Sequence, residues 1–119
     1  MNTETIARVV EDLGRSYSGS SHMKEGTRTF VMLPEVRFPE GCVPSSTKAI
    51  VLLDEQAGPQ LLLEALPKLR NGNTPRSTNT QLVGETSWFG FSFNQVWDEN
   101  RNSAVQFVEG RLRRFALNE

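Results

Sequence analysis

The sequence is poor in the residues that catalysis and metal binding draw on. It holds one cysteine, Cys42, and one histidine, His22, in 119 residues. A structural zinc site takes about four such ligands at neighbouring spacings, which this chain does not supply. A single thiol forms no internal disulfide and fits a reducing compartment. Neither Gly-x-x-x-x-Gly-Lys-Ser/Thr nor Gly-x-Gly-x-x-Gly occurs. No phosphate-cradling loop and no nucleotide cofactor is therefore predicted. Long apolar runs are missing too, the longest uncharged one being residues 49–53. A membrane span takes about 20 residues, so this run is far too short. The N-terminal Met1-Asn2-Thr3-Glu4 lacks the positive segment and apolar stretch of a signal peptide. A cytoplasmic protein with no membrane segment is the expectation. Charge of one sign is equally scarce. With 13 basic and 14 acidic residues the net charge is −1. That gives no concentrated basic field and argues against nucleic acid as the first partner.

What is present describes a globular chain. Hydrophobic residues make up 37% and charged residues 23%. This is enough apolar surface for a core without a disulfide or metal. The length predicts one domain, residues 1–119. Ile6, Val9, Val10 and Leu13 share one helical face, with Asn2 or Thr3 as N-cap and Gly14 closing the stripe. Residues 14–27 are rich in Gly and Ser and read as a flexible connection. Short extended runs follow: residues 29–33 up to Pro34, then residues 36–38, then residues 48–53 as a central strand with both faces covered. Residues 61–69 are leucine-rich, and their periodicity leaves strand or short helix open. Residues 70–80 form the most polar stretch and predict a surface loop long enough to carry function. Trp88, Phe89, Phe91, Phe93 and Trp97 make an aromatic segment whose period of two puts the three Phe on one face. A closing helix follows from Ala104, Val105, Val108, Leu112 and Phe115, with Asn102 or Asp98 as cap and three arginines in its last turns. The element order predicts an α+β fold: an antiparallel meander of about four strands between an N-terminal and a C-terminal helix.

Among chemistry-bearing groups, Cys42 is the only thiol. A reactive thiol needs a cation, base or helix N-terminus to lower its pKa, and a buried structural role is the stronger reading. His22 stands alone, and adjacent carboxylates such as Asp54-Glu55 read as solvated charge. Asn71-Gly72 predicts a tight turn, since Gly tolerates positive φ. No Lys or Arg lies between Trp88 and Trp97, so a backbone-tracking groove for single strands is disfavoured.

From Phe38 onward the chain resembles the ubiquitin-conjugating enzyme superfamily, in particular its divergent bacterial members. Phe38-Pro39-Glu40-Gly41-Cys42-Val43-Pro44 resembles the strand-edge turn leading into an apolar strand. Gly58-Pro59 is similar to the proline-containing connection after it, and Leu69-Arg70-Asn71-Gly72-Asn73 to the asparagine-bearing turn before the active-site loop. Trp88-Phe89-Gly90-Phe91-Ser92-Phe93, then Trp97 and the helix to Phe115, are similar to the family's tryptophan segment and following helix. The His-Pro-Asn signature is absent. Family enzymes carry their cargo on a cysteine between the asparagine turn and the tryptophan segment, and residues 72–87 contain none. The resemblance therefore implies a non-catalytic variant that binds a ubiquitin-like protein or a conjugation partner, in a setting such as bacterial antiviral defence. Its candidate binding residues are Asn71, Asn73, Arg76, Trp88, Phe91 and Trp97. Two alternatives stand beside it: a conjugating enzyme using Cys42 as thioester acceptor, and an unrelated interaction or single-strand-binding domain.

Overall fold

The computed structural model describes residues 1–76, 78–91 and 103–119. The first helix, α1 (Thr3–Ser16), starts at the expected cap: the Asn2 side-chain oxygen accepts a 2.8 Å bond from the Thr5 N–H. That N–H is one of the donors a helix start leaves unpaired. The face Ile6, Val9 and Leu13 is buried, while Val10 is only partly so. Gly14 does not end the helix. The region 14–27 is no loose connection either, because it contains the last turn of α1 and an ordered strand, β1 (Ser21–Glu25).

β1 turns back into β2 (Arg28–Arg37), and β3 (Ser46–Asp54) and β4 (Gln60–Leu63) follow. The two short runs expected around Pro34 are one strand, β2, with a register shift between Leu33 and Val36. A bulge is where a strand tolerates proline, which has no N–H for the ladder. Residues 49–53 of β3 are buried on both faces, as the sequence predicts. The leucine-rich stretch resolves into the strand β4 and then an irregular segment leading to the pair Val43–Lys68.

The polar stretch 70–80 is shorter as a loop than its composition suggests. Pro75 is buried, and β5 (Thr78–Val83) begins inside it. β5 pairs along its length with β6 (Thr86–Phe91), and β6 meets β4 through Phe89 and Leu63. Among the described residues the sheet thus has six antiparallel strands in the order β1-β2-β3-β4-β6-β5, where the sequence pattern predicts about four. The two edge strands, β1 and β5, consist mostly of polar, exposed residues, which carry little hydrophobic periodicity to read.

Ser103 caps α2 (Ala104–Arg113) with a full capping box to Gln106, in place of Asn102 or Asp98. Those two residues, like Phe93 and Trp97, lie outside the described residues. A 3₁₀ turn, Arg114–Leu117, closes the chain. Both helices contribute to one core with one face of the sheet: Leu13, Phe107, Leu112 and Phe115 pack with Val31, Val51, Leu63 and Phe91. Alternation along the strands sends Ile50, Leu62 and Trp88 to the other face, where Phe30, Met32 and Val83 flank them. Arg111, one of the three arginines in the last turns of the closing helix, is only 4% exposed, with its guanidinium carbon 3.9 Å from the Phe91 ring centre and 4.9 Å from that of Phe115. No helix among the described residues is long and apolar enough to cross a membrane.

Candidate functional site

Two connections meet at one corner of the sheet. The segment 39–44, which contains a cis Val43–Pro44 peptide, runs beside the segment that follows β4. Val43 N–H donates to the Lys68 carbonyl at 3.0 Å, and Lys68 N–H returns the bond to Val43 at 2.7 Å. Pro67 and Leu69 are buried and hold this segment down, so the residues beyond them project outward from a fixed base. The asparagine turn then closes on itself. Gly72 N–H donates to the Leu69 carbonyl, Leu69 N–H to the Asn73 carbonyl, and Asn73 N–H to the Asn71 side chain. Gly72 has φ +85°. That is the left-handed conformation an Asn-Gly turn calls for. From the other end of the chain, Asn118 accepts a 3.3 Å bond from the Asn71 N–H.

The corner presents exposed polar groups around two exposed apolar side chains. Asn71 and Asn73 are exposed there, together with Lys68 and Arg70, and Arg76 is exposed beyond the buried Pro75. Lys68, Arg70 and Arg76 form no ion pair among the described residues, whereas Arg114 is neutralised by Glu119 at 2.9 Å. Val43 is 69% exposed and Leu117 70%. Sequence reasoning missed both. A lone valine between a turn and a proline has no periodicity, and Leu117 lies two residues past the buried Phe115, off the face that the closing helix buries.

The remaining candidates separate. Cys42 is buried in the main core, and burial pushes its thiol pKa up. An activated thiol needs the opposite shift. His22, the only imidazole, lies on β1 beside α1. Trp88 and Phe91, candidate contact residues on the family resemblance, are 5% and 4% exposed and belong to the cores on opposite faces of the sheet. Buried rings cannot stack on a ligand, so neither belongs to the exposed surface of the corner. Trp97 lies outside the described residues. Among the described residues no group of three or more His, Cys, Asp or Glu side chains converges.

A separate cavity of about 570 Å³ opens between the end of β2 and α2, over Val36, Phe38 and Leu112. Tyr17 lines it, and burial, with Glu109 nearby, pushes its hydroxyl up to about 12. Its rim charges are internally paired, Glu35 with Arg37 at 3.4 Å and Glu109 with Arg113 at 3.8 Å. Compared with family models, curated proteins and solved structures, the chain matches none.

Proposed function

We propose that this chain is a non-catalytic ubiquitin-conjugating-enzyme-like module that binds a ubiquitin-like protein or another conjugation-system protein, in a bacterial defence-associated modification system. One observation carries the reading. The asparagine turn is held open to solvent beside Val43 and Leu117, while the chain's single thiol is sealed in the core. A conjugating enzyme needs an accessible thiolate near that turn; a binding module needs an exposed, rigid surface. Rigidity is supplied by the Val43–Lys68 pair, the turn's own bonds and the Asn118 contact, so little ordering entropy is lost on docking.

The test has a covalent and a non-covalent arm. Incubation with ATP, a bacterial activating enzyme and its ubiquitin-like protein should leave the intact mass of this chain unchanged. A thioester that disappears in Cys42→Ser would overturn the non-catalytic reading. Titration of the isotopically labelled chain with the same ubiquitin-like proteins should shift Val43, Asn71, Asn73, Arg76 and Leu117. The double variant Val43→Asp, Leu117→Asp should weaken binding at least tenfold, and unchanged affinity would sink this choice of surface.

A further inference from the structure

We infer that β5 is a self-pairing edge, through which two copies of this chain join antiparallel about Thr80 and continue one sheet into the other. Among the described residues β5 ends the strand order, and its Leu82 is 75% exposed. An open edge is a template for another strand, and proteins blunt such edges with charge or proline. The opposite edge is blunted in this way, since β1 carries Lys24 and Glu25. β5 has neither a charge nor a proline between Thr78 and Val83. Its backbone sets the register. β5 turns into β6 through Gly84 and Glu85, between the paired Val83 and Thr86. A two-residue hairpin closes on a hydrogen-bonded pair, and such pairs alternate along an antiparallel ladder. Asn79, Gln81 and Val83 therefore direct their N–H and C=O groups to β6, and those of Thr78, Thr80 and Leu82 point outward. An antiparallel copy satisfies all three when Thr80 meets Thr80 and Thr78 meets Leu82, with about six hydrogen bonds across the two-fold axis. A shift by two residues carries one of the three past the end of the strand.

The side chains favour the same register. Threonine meets threonine on the axis, and Asn79 meets Gln81, amide against amide. The edge's charges stand at its two ends and have opposite signs: Arg76 precedes the strand and Glu85 follows it. Both are exposed, and among the described residues neither is in an ion pair. Arg111, over the Phe91 ring at the Arg76 end, is buried. The two-fold axis sets Arg76 of each copy opposite Gly84 of the other and one residue from its Glu85, so the attraction occurs twice. Leu82 lies diagonally across from that same arginine, whose aliphatic stem covers it. Parallel pairing would instead set Arg76 beside Arg76 and Glu85 beside Glu85. A second copy of the chain thus supplies, at the required spacing, the complement of every charge that the edge exposes, which is why it is the occupant. Arg76 is the one residue this edge shares with the Asn71 corner; Thr80, Leu82 and Glu85 lie outside it, so either reading stands or falls alone.

Sedimentation of the full chain at low salt, from about 10 µM to about 1 mM, should show monomer passing into dimer. Over the same range the Thr80 and Leu82 amides should shift and come to exchange at least fivefold more slowly. Arg76→Glu and Glu85→Arg should each weaken the dimer at least fivefold, because like charges then meet at both ends. Mixed in equal amounts the two variants should pair with each other, one bringing two carboxylates and the other two guanidiniums, and the double variant should regain the original affinity. Thr80→Pro removes an outward donor that β6 does not use and should abolish the dimer. The inference fails if the chain stays monomeric at millimolar concentration, or if a dimer forms while the Thr80 and Leu82 amides stay unprotected. It fails equally if the single charge variants dimerise undiminished or their mixture does not pair.

Discussion

Replacing Arg111 tests the packing logic of this fold most directly. Its guanidinium is buried, and among the described residues neither Nε nor Nη1 has a hydrogen-bond partner. Burial, reinforced by Arg114 and opposed by Glu119, draws its pKa well below the ordinary arginine value, to about 10. A change of that size corresponds to about 3 kcal/mol held against the charged form in the fold. The two rings beneath the cation return about 2 kcal/mol, given that the contact is desolvated. Arg111→Met keeps an unbranched stem over Phe91 and Phe115 and removes the charge. It should therefore raise stability by about 1 kcal/mol, or Tm by about 3–5 °C for a domain of this size. Urea unfolding at pH 7, with an unchanged m value, measures it. The gain should be flat from about pH 6 to 9, where the group is charged in both states. Above about pH 10 the folded protein sheds this proton before the unfolded chain does, wild-type stability recovers, and the difference narrows. Arg111→Lys should cost about 1–2 kcal/mol, because a compact, strongly hydrated ammonium replaces a planar stacking group. If Arg111→Met instead destabilises by more than about 1 kcal/mol, the cation–ring contacts outweigh desolvation and the reasoning is wrong.

Cys42 should label with iodoacetamide at least tenfold more slowly in the native protein than in urea, and Cys42→Ser should cost about 1–3 kcal/mol by burying a hydroxyl without a designed partner. Fast native labelling would reopen the thioester reading. Tyr17 keeps its proton in the fold up to about pH 12 while the unfolded chain loses it near 10, so its contribution is intact below pH 10 and declines above it. Tyr17→Phe should flatten that alkaline decline by about 1 kcal/mol, read in the Arg111→Met background because Arg111 acts in the opposite sense there. Gly90 lies beneath a hydrogen bond from Gln81 to Gln60 that crosses β6, and a Cβ there would stand 2.7 Å from Asn79 Oδ1 and 3.2 Å from the buried Leu62. Gly90→Ala should displace that bond and cost about 1 kcal/mol net, whereas a stabilised variant would show that the polar side chains move aside freely.

Local pattern determined a good deal of this protein. The stripe Ile6, Val9 and Leu13, the Asn2 cap, the β-branched run of β3 and the Asn71-Gly72 turn are readable because each expresses backbone geometry within a few residues. The scarcity of Cys and His is likewise a property of the sequence alone. Only tertiary structure decided the rest. β1 and β5 are polar strands formed by pairing with β2 and β6, and ladder hydrogen bonds leave no hydrophobic signature. Trp88 and Phe91 look like contact residues until strand alternation sends them into separate cores. Arg111 resembles a solvated helix end until α2 lays it over the Phe91 ring of β6. The exposed corner of Val43, Asn71 and Leu117 exists because loops far apart in the chain are tied by Lys68 and Asn118. Burial and juxtaposition depend on which distant segments meet, and no single stretch of sequence contains that information.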